Sequence, residues 1–154
     1  MTAFGKVALA LAFSTAMIGS VSAAPDYSGT YQSVASKSSW SNGEFPKNFS
    51  LMIQVKFEGN KLVYHSVNAH SPAANLDYTA PMDGTVVPMT GNARFNQIRV
   101  NKIAPNELEI LEMKDGDVLV AAYWSFDAKG FVRRGVGKGA DGKSHEYEEF
   151  YAKQ

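Results

Sequence analysis

The chain has 154 residues, with 15 basic and 15 acidic side chains, three His and no Cys. The balanced charge, with no basic stripe, excludes a protein that tracks a phosphate backbone, so nucleic acid is not an expected partner. The lack of Cys excludes a disulfide framework, thiolate metal sites and a lipid-modified cysteine, so the fold must rest on a buried hydrophobic core.

The first predicted element is an export signal. Lys6 supplies a positive start, residues 7–18 are nearly all apolar, and Val21 and Ala23 suit the −3 and −1 pockets of a signal peptidase. Cleavage is expected after Ala23, giving a 1–23 signal peptide and a single β-barrel domain over 24–154, with a periplasmic or secreted location. The apolar run is shorter than the ~20 residues that cross hydrocarbon, and no later run reaches that length. No membrane span is therefore expected in the mature form.

From residue 49 the pattern becomes two-fold. Phe49, Leu51, Ile53, Val55 and Phe57 alternate with Ser50, Gln54 and Lys56, which predicts one buried and one wet strand face. Glu58-Gly59-Asn60 turns the chain into a second strand over 61–67, making a hairpin. An earlier strand is predicted over 29–36, and a loop over 70–77. A short strand over 85–89 contains Pro88, which places it at an edge or a bulge. Strands over 95–103, 107–113, 118–126, 131–136 and 144–152 follow, each bounded by Gly, Asp, Asn or Pro turns. No stretch after the signal has sustained helical periodicity. The expected fold is all-β: an antiparallel up-and-down meander of about eight to ten strands, closing into a small barrel that removes its own edges and can enclose a small ligand.

Several segments carry a family likeness. Tyr27-Ser28-Gly29-Thr30-Tyr31, then Ala35-Ser36-Lys37-Ser38, open the mature chain. Met82-Asp83-Gly84 leads to Val87-Pro88-Met89-Thr90-Gly91. Ile98-Arg99-Val100-Asn101-Lys102-Ile103, Asn106-Glu107-Leu108-Glu109-Ile110, Lys114-Asp115-Gly116 and Phe150-Tyr151-Ala152-Lys153-Gln154 follow in order. This series resembles small secreted bacterial lipocalin-like barrel proteins of unassigned function. The resemblance implies a small antiparallel barrel in the periplasm and brings no catalytic residues with it. Two positions depart from that pattern: Tyr123-Trp124 stand where paired arginines are usual, and Glu148 stands where an apolar residue is usual.

In a barrel the informative residues are polar or aromatic ones that point inward. Tyr64 and His65 take opposite faces of one strand, and His65 shares its face with Val63 and Val67, which argues that it faces the apolar side. His145 shares a face with Tyr147 and Tyr151, as a pocket wall or a wet face, and His70 sits beside a proline in a loop. Arg133 and Arg134 oppose each other, so one points in. Glu148 on the next strand is its natural partner, and the pair either serves structure or clamps a carboxylate ligand in a fork. An inward Glu148 would have a raised pKa and acid or base capacity. Tyr123 and Trp124 lie mid-strand, with Val118, Val120 and Ala122 on the Trp124 face.

Nine Phe, seven Tyr and two Trp exceed what a core of this size needs, so part of them is expected to line a cavity. The histidine spacing 65, 70, 145 matches no compact metal motif, and no cofactor is implied. Gly135-Val136-Gly137-Lys138-Gly139 lacks Walker spacing and a following helix, so it is not a phosphate loop.

The expected function is binding of a small apolar or aromatic molecule in the barrel, with Tyr64, His65, Tyr123, Trp124, Arg133 and Glu148 as ligand-binding candidates. The alternative is a barrel enzyme, an isomerase, lyase or hydratase, with His65, Glu148 and Tyr64 as acid and base.

Overall fold

The computed structural model describes residues 26–43, 45–139 and 141–154. The expected signal peptide and its cleavage point after Ala23 lie outside the described residues. Eleven strands run in chain order: β1 Gly29–Ser33, β2 Ser39–Trp40, β3 Leu51–Glu58, β4 Lys61–Asn68, β5 Asp77–Pro81, β6 Asp83–Pro88, β7 Gln97–Ala104, β8 Glu107–Lys114, β9 Asp117–Phe126, β10 Gly130–Lys138 and β11 Ser144–Lys153. Among the described residues the helical pieces are two single 3-10 turns, Ala35–Lys37 and Pro72–Ala74.

The strands form one antiparallel sheet in the order β5-β4-β3-β1-β11-β10-β9-β8-β7-β6, with β2 paired to β11 beside β1. The two ends of that order, β5 and β6, meet through the Asp77–Thr90 bridge, which exchanges both backbone hydrogen bonds. The result is a nearly closed lipocalin-like barrel built as a meander. Among the described residues no helix is long and apolar enough to cross a membrane.

Alternation sets the inside. In β3, Leu51, Ile53 and Val55 are buried while Met52, Gln54 and Lys56 are exposed. The hairpin register pairs Val55 with Tyr64, and directly opposed residues share a face, so Leu62, Tyr64 and Ser66 of β4 follow inward. The β8–β9 turn needs left-handed backbone at two successive residues, Asp115 (φ 51°) and Gly116 (φ 93°), a twist suited to a tight hairpin. Pro88 ends β6, an edge strand paired only to β7, with a register shift between Asp83 and Val86. The expected edge or bulge is thus present.

The structure adds two strands and corrects one expectation. The loop expected over 70–77 gives way at Asp77 to β5, a strand the sequence reading did not mark, which buries Tyr78 and Ala80. The two-residue strand β2 had no sequence signature of its own. Val118 does not share the inner face of Trp124. The register shifts between Glu112 and Met113, so Val120 opposes Glu112 while Val118 opposes Met113, and Val118 is left exposed.

The barrel has two unlike ends. One is joined by short turns at Gly59-Asn60, Pro105-Asn106 and Ala128-Lys129, and is filled by aromatic rings. Tyr151, Phe131 and Trp124 stack at 4.6 and 4.9 Å between ring centres. Tyr64 continues the layer 5.6 Å from Trp124, and Tyr78 stacks on Tyr64 at 4.7 Å. The other end carries the longer loops over 69–76, 89–96 and 139–143, together with the segment from β2 to β3.

Candidate functional site

Between the aromatic layer and the long loops lies a cavity of about 500 Å³, within the range of small-molecule sites. Its floor is polar. Glu112 from β8, Arg133 from β10 and Glu149 from β11 meet there, with side chains 5%, 14% and 7% exposed. Arg133 Nη2 donates to Glu112 Oε1 at 2.7 Å, and Arg133 Nη1 lies 3.5 Å from Glu149 Oε2. Glu149 also accepts from Tyr151 Oη at 2.7 Å and from Trp40 Nε1 at 3.0 Å. The Arg133 guanidinium sits 5.0 Å from the Tyr147 ring centre, a cation–π contact.

The register explains how these groups meet. Arg133 opposes Glu149 directly on β11, so that pair is a cross-strand neighbour. Glu112 is two strands away and two rows along. The row between them holds Ala122, Gly135 and Tyr147. Small residues there leave space for long side chains. A Cβ on Gly135 would stand 2.2 Å from the Ala121 carbonyl oxygen and 2.9 Å from Tyr147 Oη. Gly137, next inward on β10, lines the cavity itself. The glycine run that is no phosphate loop thus opens the upper barrel.

Burial sets the electrostatics. It raises the Glu112 carboxyl above its ordinary range, against the pull of Arg133 and with a further push from Glu149; Arg94 at the mouth pulls it back down. Burial also works against the Arg133 charge, but Glu112 first, then Tyr147 and Glu149, outweigh it and hold the guanidinium protonated. Tyr147 is pushed up to about 12 by burial, and Tyr64, Tyr78 and Tyr151 are raised by the same cause. All four are neutral hydroxyls near neutral pH. Two buried polar atoms at the floor, Tyr147 Oη and Arg133 Nε, have no hydrogen-bond partner among the described residues.

The walls are mainly apolar, with Leu51, Leu76, Phe95 and Val120 facing the cavity. At the mouth Trp40, Phe45 and Phe49 form an edge-to-face trio with ring centres 4.8, 5.0 and 6.0 Å apart. Arg94 spans the rim, hydrogen-bonding the Lys138 carbonyl while its guanidinium lies 4.9 Å from the Phe95 ring centre. His145 Nε2 lies 3.4 Å from Asp141 Oδ1 at the same rim, which makes its face a pocket wall.

The sequence candidates divide by strand face. Tyr64 and Arg133 line the cavity, and Trp124 lies in the aromatic layer beneath it. His65 faces outward, where it pairs with Asp77; its neighbour Val67 is exposed as well, so the valines beside it did not mark an inner face. Tyr123 is 52% exposed on the outer face of β9. Glu148 also points out and pairs with Arg134, not with the inward arginine. The inward arginine is Arg133, and its partner is Glu149 in place of the expected Glu148, because Arg133 and Glu149 stand opposite each other in the ladder. Both terminal nitrogens of Arg133 face carboxylates of the protein itself.

Two floor residues escaped the sequence reading. Glu149 lies at the same two-residue spacing as His145, Tyr147 and Tyr151. Glu112 continues the Leu108–Ile110 face. Among the described residues no three His, Cys, Asp or Glu converge as a metal site.

No protein-family model and no curated protein matches this sequence. Among solved structures, the chain is similar to zebrafish ileal bile acid-binding protein complexed with cholic acid. The TM-score is 0.56 at 12% identity, covering 83% of this chain and 98% of that one. That likeness is one of fold.

Proposed function

We propose that this protein is an exported binding barrel that holds one small, largely apolar or aromatic molecule in the cavity above the aromatic layer. The observation that carries this reading is the cavity itself: about 500 Å³ of space, walled by apolar side chains, over a small cluster of convergent polar groups. A bile-acid complex on a similar barrel supports the choice of the interior as the binding place. The sequence pattern at residues 1–23, read as an export signal, favours a periplasmic or secreted setting.

The test is titration with the neutral fluorophore N-phenyl-1-naphthylamine. The expected result is saturable 1:1 fluorescence enhancement, lost in Val120→Trp, which fills the cavity from β9. Retained near-ultraviolet circular dichroism would show that the variant is folded. Absence of saturable binding to the wild-type protein overturns the proposal.

A second reading, catalysis in the same cavity, has one observation in its favour. Glu112 is a carboxyl raised by burial at the floor of a ligand-sized space, which suits acid or base work. With His65 and Glu148 outside, Glu112 and Tyr64 are the groups that remain for it. Chemical change of a co-purified ligand, seen by mass spectrometry and lost in Glu112→Gln, would establish that reading.

A further inference from the structure

The floor of the cavity is selective as well as polar. Its one arginine is committed: Nη2 donates to Glu112 at 2.7 Å and Nη1 faces Glu149 at 3.5 Å. Arg94 stands at the rim and not at the floor, with Nη2 on the Lys138 carbonyl and its guanidinium over the face of Phe95. A carboxylate headgroup carried to the floor would lose its water and meet two carboxylates around one occupied guanidinium. Burying a charge without a free counter-ion is strongly unfavourable.

The acceptor side is different. Glu149 is filled on both oxygens, by Trp40 Nε1 and Tyr151 Oη. Glu112 uses Oε1 for Arg133, while Oε2 makes no hydrogen bond among the described residues and belongs to a residue that lines the cavity. Tyr147 Oη and Arg133 Nε lie nearby, without a hydrogen-bond partner among the described residues but buried from the cavity. The unfilled capacity open to a ligand at the floor is thus the Glu112 Oε2 carboxylate oxygen.

We infer that the ligand is an amphiphile whose buried end is a hydrogen-bond donor, a hydroxyl or an amine, received by Glu112, and that the floor rejects a carboxylate. This rests on the cavity being the ligand site proposed above, and it narrows the chemistry of what enters. The reading separates this barrel from the similar bile acid-binding protein, whose bound cholic acid carries a carboxyl group.

Three probes of equal chain length test it: decan-1-ol, decylamine and decanoate, each displacing bound N-phenyl-1-naphthylamine at pH 7. The alcohol and the amine are expected to compete at least about tenfold more strongly than decanoate. Glu112→Gln is expected to weaken decylamine about tenfold or more while changing decan-1-ol by less than about threefold, because the amide accepts a hydrogen bond but carries no charge. The wild-type ranking stands as a test even if that variant does not fold. Decanoate competing as well as the other two overturns the donor assignment while leaving the cavity reading intact. If the fluorophore itself does not bind and no probe protects the protein against thermal unfolding, both fall together.

Discussion

Arg133 Nη1 lies 3.5 Å from Glu149 Oε2 inside the barrel, while one residue along each strand Arg134 pairs with Glu148 outside it. The two pairs share a ladder and nearly a composition, and differ in solvent. Removing Arg133 leaves two buried carboxylates facing each other, whereas removing Arg134 leaves a carboxylate in water. Arg133→Met is expected to destabilise the protein by about 3–5 kcal/mol, and Arg134→Ala by less than about 1 kcal/mol. Urea unfolding curves check both. Adding Glu112→Gln to Arg133→Met should recover part of the loss, since one buried charge fewer is left unpaired.

Much of the barrel is legible in the sequence, because a strand with one wet face writes its geometry into the chain. Leu51, Ile53 and Val55 are the plain case, and Asp115-Gly116 marks its turn equally well. The site was harder. Where apolar residues occupy both faces, as with Leu62 and Val63, or a polar residue is buried beside an exposed apolar one, as with Ser66 and Val67, composition does not choose the inside. The choice comes from the partner strand, through Val55 opposite Tyr64. His65 was misplaced for that reason. Glu148 drew attention because it broke a family pattern, yet Glu149 holds the buried position set by the spacing of Tyr147 and Tyr151. Glu112 was passed over because glutamates recur along β8 at both parities; Glu107 and Glu109 share the opposite face from it. Its inward role depends on Arg133, which lies two strands away and cannot be foreseen from local pattern. The segment Ser39–Trp40 becomes a strand only because β11 offers it a partner beside β1.

The floor also predicts a pH response. Glu112 is held above the ordinary glutamate value of 4.5 by burial, with Arg133, Glu149 and Arg94 as the charged groups that act on it. The folded protein therefore keeps this proton to higher pH than the unfolded chain does. The stability contributed by this group is full below about 4.5 and is lost as pH rises through the folded value. Glu112→Gln is expected to flatten that fall, so the variant gains on the wild type between the unfolded and folded values. Thermal unfolding measured in steps from pH 4 upward checks the sign; equal slopes in the two proteins would remove Glu112 as the cause.

Tyrosine titration gives a second, independent reading of the interior. Burial raises Tyr31 and Tyr147 to about 12 and lifts Tyr64, Tyr78 and Tyr151 as well. In the unfolded chain each ionises near 10, so the folded state holds these protons longer and loses stability as pH rises above 10. The expected outcome is that five of the seven tyrosines resist ionisation until the barrel opens, seen as a late, steep rise in absorbance near 295 nm that coincides with loss of β signal in circular dichroism. A smooth titration of all seven near pH 10 would mean that the aromatic layer is wet.

The two tryptophans report on the two halves of the barrel. Trp124 is 1% exposed within the aromatic layer and does not line the cavity, whereas Trp40 lies at the mouth, lines it, and donates Nε1 to Glu149 at 3.0 Å. Trp40→Phe keeps a ring against Phe45 and Phe49 but removes that donor, at an expected cost of about 1–2 kcal/mol because the acceptor is a buried carboxylate. The remaining emission should shift to the blue and resist acrylamide, since Trp124 alone gives rise to it. A ligand in the cavity should change tryptophan emission in the wild type and in Trp124→Phe, and leave Trp40→Phe nearly silent. The two variants thus locate the bound molecule by difference. Emission that responds to ligand equally in Trp40→Phe would place the molecule below the polar floor, against the aromatic layer, and would require the Glu112–Arg133–Glu149 cluster to part on binding.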